Sequence, residues 1–247
     1  MKTFFPCFLF LIAIWGCKNE GQLAFEPQEI KSESCGDCPQ VIINIPKAQG
    51  NDPLSAAINN AIKEEVLSLL IYDDQMEANT IEEAILSFKN GYLELKKLYP
   101  DEPIGWEAKI DGVLTYEDKN VLTIQMDSYS FTGGAHGFST TRFLNFDKNK
   151  ALEIEIGELF IDSLAFQDFA EAKFRDQENI PATESINSTG FMFENDVFYL
   201  PRNIGFTDDG LLLVYERYEV ASYADGPIRL TLPYPEIGRF LKLKVPS

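Results

Sequence analysis

The chain has 247 residues, 45% of them apolar and 13% aromatic, which is enough for one large or two small domains and excludes extensive disorder. Its formal charge is −18 and its isoelectric point about 4.4. A surface this acidic repels a phosphate backbone and argues against a nucleic-acid partner; it favours solubility and a cationic partner.

Residues 1–16 read as a targeting segment. Lys2 gives the positive start, and Phe4 to Trp15 form an apolar run too short to span a bilayer. Ile14-Trp15-Gly16-Cys17 resembles a bacterial lipobox, in which a small residue precedes the cysteine that takes the lipid; Trp15 departs from the usual small or aliphatic residue at its place. We expect a lipoprotein signal over 1–16, lipid on Cys17, and a chain anchored in the bacterial cell envelope, facing the periplasm or the exterior. Residues 17–40 are polar and aperiodic and read as a flexible tether.

Cys35 and Cys38 stand in Cys-Gly-Asp-Cys. Such a pair serves as a redox motif, half a zinc site or a small disulfide. A redox motif needs a helix starting at the pair, and here Pro39 and a strand-like run follow. Zinc needs about two more ligands, and the chain has one histidine. An oxidising envelope favours the disulfide, with free thiols as the other state.

Val41 to Ile45 reads as a short strand. Leu54 to Ile71 has helical spacing, with Asp52 as cap and Pro53 in the first turn. A second helix starts at Thr80 with the capping box Thr80-Ile81-Glu82-Glu83 and ends at Pro100; Gly91 inside it marks a kink or a close approach. From Gly105 the period becomes two. Strands are expected over Trp106 to Tyr116, Val121 to Phe131, Phe138 to Phe146 and Ala151 to Ile156, joined by short polar turns as in an antiparallel meander. A helix capped by Asp162 or Ser163 runs to about Arg175. Further strands are expected at Phe191 to Phe193, Val197 to Leu200, Ile204 to Thr207, Leu211 to Tyr218 and Ile228 to Leu232, then a short helix from Tyr234 to Leu241. The fold class is α+β, an antiparallel meander packed against a few amphipathic helices. We divide it near residue 104 into a helical subdomain (41–104) and a sheet subdomain (105–247).

The hairpin tip holds the strongest local signal. Gly133, Gly134, the only histidine, His136, and Gly137 fall within five residues after Tyr129. The glycines permit positive φ, and His136 either satisfies backbone groups at the tip or recognises a ligand there. Tyr218 and Tyr223 stack either in the core or on sugar rings. Alternation through Tyr218 would set Tyr215 and Arg217 on one strand face, Glu216 and Tyr218 on the other. Tyr129, Gly133, Gly134, His136, Tyr218 and Tyr223 are the candidate ligand-binding set.

Several segments in order carry a resemblance. They are Val41 to Pro46, Ala57 to Ile62, Tyr129 to His136, Gly157-Glu158-Leu159-Phe160, Phe206 to Leu211, Tyr215 to Ala221 and Leu232-Pro233-Tyr234. They resemble an extracytoplasmic domain pair of unknown function. It occurs in the lysozyme-binding anti-sigma factor RsiV and ahead of the catalytic domain of the peptidoglycan deacetylase PdaC. The resemblance implies an α+β fold and an envelope location, and supplies no reaction.

The chemistry points the same way. One histidine is too few for a deacetylase zinc site, no Gly-x-Ser-x-Gly elbow exists, and no phosphate-binding glycine loop is present. We therefore expect no catalytic residue, metal or cofactor. The expected function is a membrane-tethered binding module for a cationic protein such as lysozyme or for a peptidoglycan fragment. The alternative is a cell-wall glycan hydrolase working through Asp and Glu.

Overall fold

A computed structural model describes residues 23–33, 38–72, 77–100 and 105–245. Its first sheet starts inside the expected tether. β1 (Phe25–Lys31) pairs antiparallel with β2 (Gln40–Ala48) from Phe25↔Ala48 to Lys31↔Ile42. The tether reading of 17–40 is corrected over these residues. β1 is an edge strand that carries Pro27 and mostly polar side chains, so it lacks the apolar alternation by which strands are found.

β2 then pairs parallel with β3 (Glu107–Glu117). Parallel neighbours need a crossover, and α1 (Pro53–Leu70) and α2 (Ile81–Leu98) supply it. Asp52 accepts from the Ser55 amide at 3.0 Å to start α1, and Thr80 and Glu83 form the capping box of α2. Gly91 marks a close approach: a Cβ there would come within 2.8 Å of the Tyr72 ring. That ring lies 4.5 Å from Trp106, whose other neighbours are Phe88 and Tyr92.

The expected meander occupies the rest of this sheet. β3, β4 (Val121–Phe131), β5 (Phe138–Asp147) and β6 (Leu152–Glu153) are antiparallel neighbours. The fold class is α+β, but the sheet is mixed. One core lies between this sheet and α1 and α2, built from Ile43, Ile58, Ile62, Phe88, Ile110, Ile124 and Phe146 among others. The first core draws on described residues from both sides of position 104, from Val41 to Phe146.

A second core gathers around β7 (Asn203–Thr207), β8 (Gly210–Tyr215), β9 (Ile228–Leu232), α3 (Ser163–Glu178) and α4 (Tyr234–Ile237). α3 starts on its Asp162 cap and buries Phe166, Ala170 and Phe174, while Leu164 is 73% exposed. The strands expected at Phe191 to Phe193 and Val197 to Leu200 do not form. A 3-10 turn at Glu194–Asp196 separates them, and Phe193 and Phe198 bury against Phe174 and Tyr215. Their apolar pattern reflects ring packing, not pleating. β8 also ends earlier than expected, at Tyr215, so no alternation extends to Tyr218.

The two units meet where β7 crosses β3, β4 and β5 on the sheet face opposite α1 and α2. Gly205 lies directly over Phe143, so that a Cβ would come within 2.3 Å of the ring. Asn145 donates to the Ile204 carbonyl at 2.8 Å and accepts from the Thr123 hydroxyl at 2.8 Å. Overpacking this junction should cost stability. We predict that Gly205→Ala lowers the unfolding free energy by about 1–3 kcal/mol in denaturant titration. Gly157→Ala, with nothing within 4 Å of the added methyl, should leave it nearly unchanged.

Candidate functional site

β7 covers only part of that sheet face. Toward the β4–β5 hairpin the same face stays open, and the alternation of β3, β4 and β5 places Lys109, Asp111, Asp127, Tyr129, Ser139 and Thr141 on it. The chain following β8 and the start of β9 form the opposite wall with Glu216, Arg217, Pro227 and Arg229. Between them lies a polar groove of about 340 Å³.

Its floor is a network of engaged groups. Thr141 donates its hydroxyl to Asp127 at 2.8 Å and its amide to Glu216 at 2.7 Å. Asp127 also accepts from Gln125 at 2.7 Å, and Glu216 from Asn203 at 3.2 Å. The Ser128 and Thr140 hydroxyls, one residue out of phase with these, share a bond of 2.7 Å on the opposite sheet face. Asp111 pairs with Lys109 and accepts from Asn44, each at 2.8 Å.

The electrostatics follow from burial. Partial burial pushes the Glu216 carboxyl up, with Asp127 adding to the rise; the Thr141 amide, Arg229 and Arg217 act against it. Burial also pushes Glu219 up, against the Glu216 amide bonded to it at 2.8 Å. For Asp111 burial acts upward, but the bonds from Lys109 and Asn44 outweigh it and hold the carboxyl below its usual range.

An aromatic cluster adjoins the groove through two of its lining residues, Arg217 and Tyr129. The His136 ring stacks on Tyr223 with centroids 4.3 Å apart at 24°, and Tyr218 lies 5.5 Å from Tyr223. The Arg217 guanidinium sits 5.2 Å from the Tyr223 ring centre, and the Tyr223 hydroxyl reaches the Gly137 carbonyl at 3.5 Å. Gly137 packs on Tyr129 so closely that a Cβ would come within 2.3 Å of that ring. Tyr218 is 60% exposed at φ 67°, in the turn that follows β8.

Tyr129, His136, Tyr218 and Tyr223 are thus brought together. His136 is exposed, and its Nδ1 approaches the Gly137 carbonyl at 3.2 Å. Gly133 and Gly134 serve the turn, at φ 104° and 93°. Sequence reasoning missed Lys109, Asp111, Asp127, Thr141, Glu216, Arg217, Arg229 and Gly137. The available signal was polar residues at alternate positions of interior strands, where an unused polar side chain is costly. Cys38 is disulfide-bonded. Cys35, Cys17 and the signal segment lie outside the described residues. Among the described residues no group of three His, Cys, Asp or Glu side chains is placed to hold a metal ion.

Fold and groove define an α+β module of two cores with a hydroxyl-rich groove where its two sheets meet. Comparison with known proteins gives the family. Residues 32–139 match the family model described as deacetylase PdaC, and residues 158–235 match that of a protein of unknown function, DUF3298; the chain carries this domain pair. Two crystal structures are similar in fold. One is a member of the DUF3298 family from Bacteroides fragilis NCTC 9343, with a TM-score of 0.71 and 19% identity, covering 92% of this chain and 96% of that one. The other is a DUF3298 family protein from Pseudomonas aeruginosa PAO1, with a TM-score of 0.63 and 17% identity, covering 92% of this chain and 97% of that one. No curated protein matches the chain in sequence.

The raised carboxyls set a pH dependence. Glu216 and Glu219 have folded values above their unfolded ones. Their favourable contribution is therefore complete below about 4.3 and is lost as pH rises through the folded values. We predict that Tm rises as the pH is lowered from neutral toward the ordinary carboxylate value. The double variant Glu216→Gln, Glu219→Gln should melt higher at neutral pH and show a smaller rise. A Tm that falls over this range would contradict the assignment.

Proposed function

We propose that the chain is a non-catalytic, membrane-tethered envelope module that binds a peptidoglycan fragment in the groove between its sheets. The observation that carries this is the hydroxyl, amide and carboxylate floor with the Tyr223, His136 and Tyr218 cluster adjoining it through Arg217. A sugar ring has an apolar CH face that packs on an aromatic ring and a belt of hydroxyls that needs directed donors and acceptors. Lipid on Cys17 and residence in the envelope belong to the same proposal.

Two observations favour other readings. The charge of −18 would steer a cationic protein such as lysozyme to the surface in a salt-dependent way. Glu216 and Asp127 both bond to Thr141, and the raised Glu216 carboxyl suits a general acid, as a glycan hydrolase would require.

Calorimetric titration of the full chain with a disaccharide-tetrapeptide tests the proposal. We expect saturable binding with no released product, and Tyr223→Ala should weaken it about tenfold, equivalent to about 1.4 kcal/mol. Cleavage of the fragment, abolished by Glu216→Gln, would establish the hydrolase instead. Binding to lysozyme alone that survives physiological salt would establish the protein ligand.

A further inference from the structure

The groove contains two cations, Arg217 and Arg229, whose charges act on the Glu216 carboxyl without direct contact. Among the described residues, neither the Arg217 nor the Arg229 guanidinium makes a hydrogen bond or ion pair; Arg217 has only the Tyr223 ring beneath it. The chain carries 39 acidic residues against 21 basic ones, so acceptors are plentiful. The three carboxylates of the groove are already engaged, Asp111 by Lys109 and Asn44, Asp127 by Gln125 and Thr141, Glu216 by Thr141 and Asn203. Two like charges lining one cleft repel each other, and a bound anion offsets that repulsion. The guanidinium fork matches a carboxylate in plane and spacing.

We infer that, given the glycan reading above, the groove selects fragments bearing a carboxylate, which sits between Arg217 and Arg229 while the attached ring packs on Tyr223. The class is an acidic, N-acylated saccharide, with the carboxylate either on the sugar's own substituent or on its attached peptide. Three cations and three carboxylates line the groove, a formal sum of zero that disfavours a phosphate dianion more than a single negative charge.

The test is calorimetric titration of the full chain with three probes. Tetra-N-acetylchitotetraose is neutral, the peptide-free N-acetylglucosamine–N-acetylmuramic acid disaccharide carries a lactyl carboxylate, and the disaccharide-tetrapeptide carries peptide carboxylates. At least one acidic probe should bind about tenfold or more tighter than the neutral one, as expected for hydrogen bonds to a charged group. The tighter of the two acidic probes identifies the source of the carboxylate. Arg229→Gln should shrink the preference, and the double variant Arg217→Gln, Arg229→Gln should abolish it, with unchanged circular dichroism. Equal affinity for all three probes, or a preference that survives the double variant, overturns the inference and leaves the glycan reading standing. No binding of any probe overturns both.

Discussion

Asn145 ties the two sheets together from inside. Its side chain is 1% exposed, accepts from Thr123 within its own sheet and donates to the Ile204 carbonyl of the other. Buried polar groups left unpaired cost about 1–3 kcal/mol each, so this set of bonds permits essentially one seating of β7 on β4 and β5. Gly205 over Phe143 adds a steric stop at the same place. The groove exists because of this seating. β7 covers Thr123, Phe143 and Asn145, and the face beyond them is left open toward the hairpin.

What remains open is polar in an ordered way. Thr141 bonds to a carboxylate on each wall, Asp127 from its own sheet and Glu216 from the chain following β8. The adjoining aromatic cluster is ordered too. Gly137 lets the Tyr129 ring close onto the hairpin, and His136 then lies on Tyr223 from the other unit. Both floor and cluster are therefore shared by the two units, and neither unit alone carries the complete groove.

The sequence made some of this legible because the physics was local. The α1 and α2 caps, the helical spacing and the hairpin turns each depend on a few adjacent residues, and each formed within a residue or two of its expected bounds. β1 was hidden because an edge strand is polar on both sides and here contains a proline. Phe193 and Phe198 imitated strands because rings packed in a core and rings on a pleat look alike in sequence.

The candidate site divides in the same way. His136 and the glycines stood out as rare residue types clustered in one turn, and Tyr218 and Tyr223 as aromatics beside it. Thr141 and Glu216 looked like ordinary surface residues, since their meaning comes from a bond between residues 75 apart in the chain. The placement of Tyr218 by alternation failed for a definite reason: β8 stops at Tyr215, and the backbone turns through a left-handed Tyr218.

The central claim is that the shared groove is where the ligand sits. Backbone amide NMR of the full chain during titration with the disaccharide-tetrapeptide addresses it most directly. The account predicts shifts concentrated at Gly137, Thr141, Arg217 and Tyr223, drawn from both units and saturating together. Shifts confined to α1 and α2 on the opposite sheet face, or no shifts at all, would contradict it.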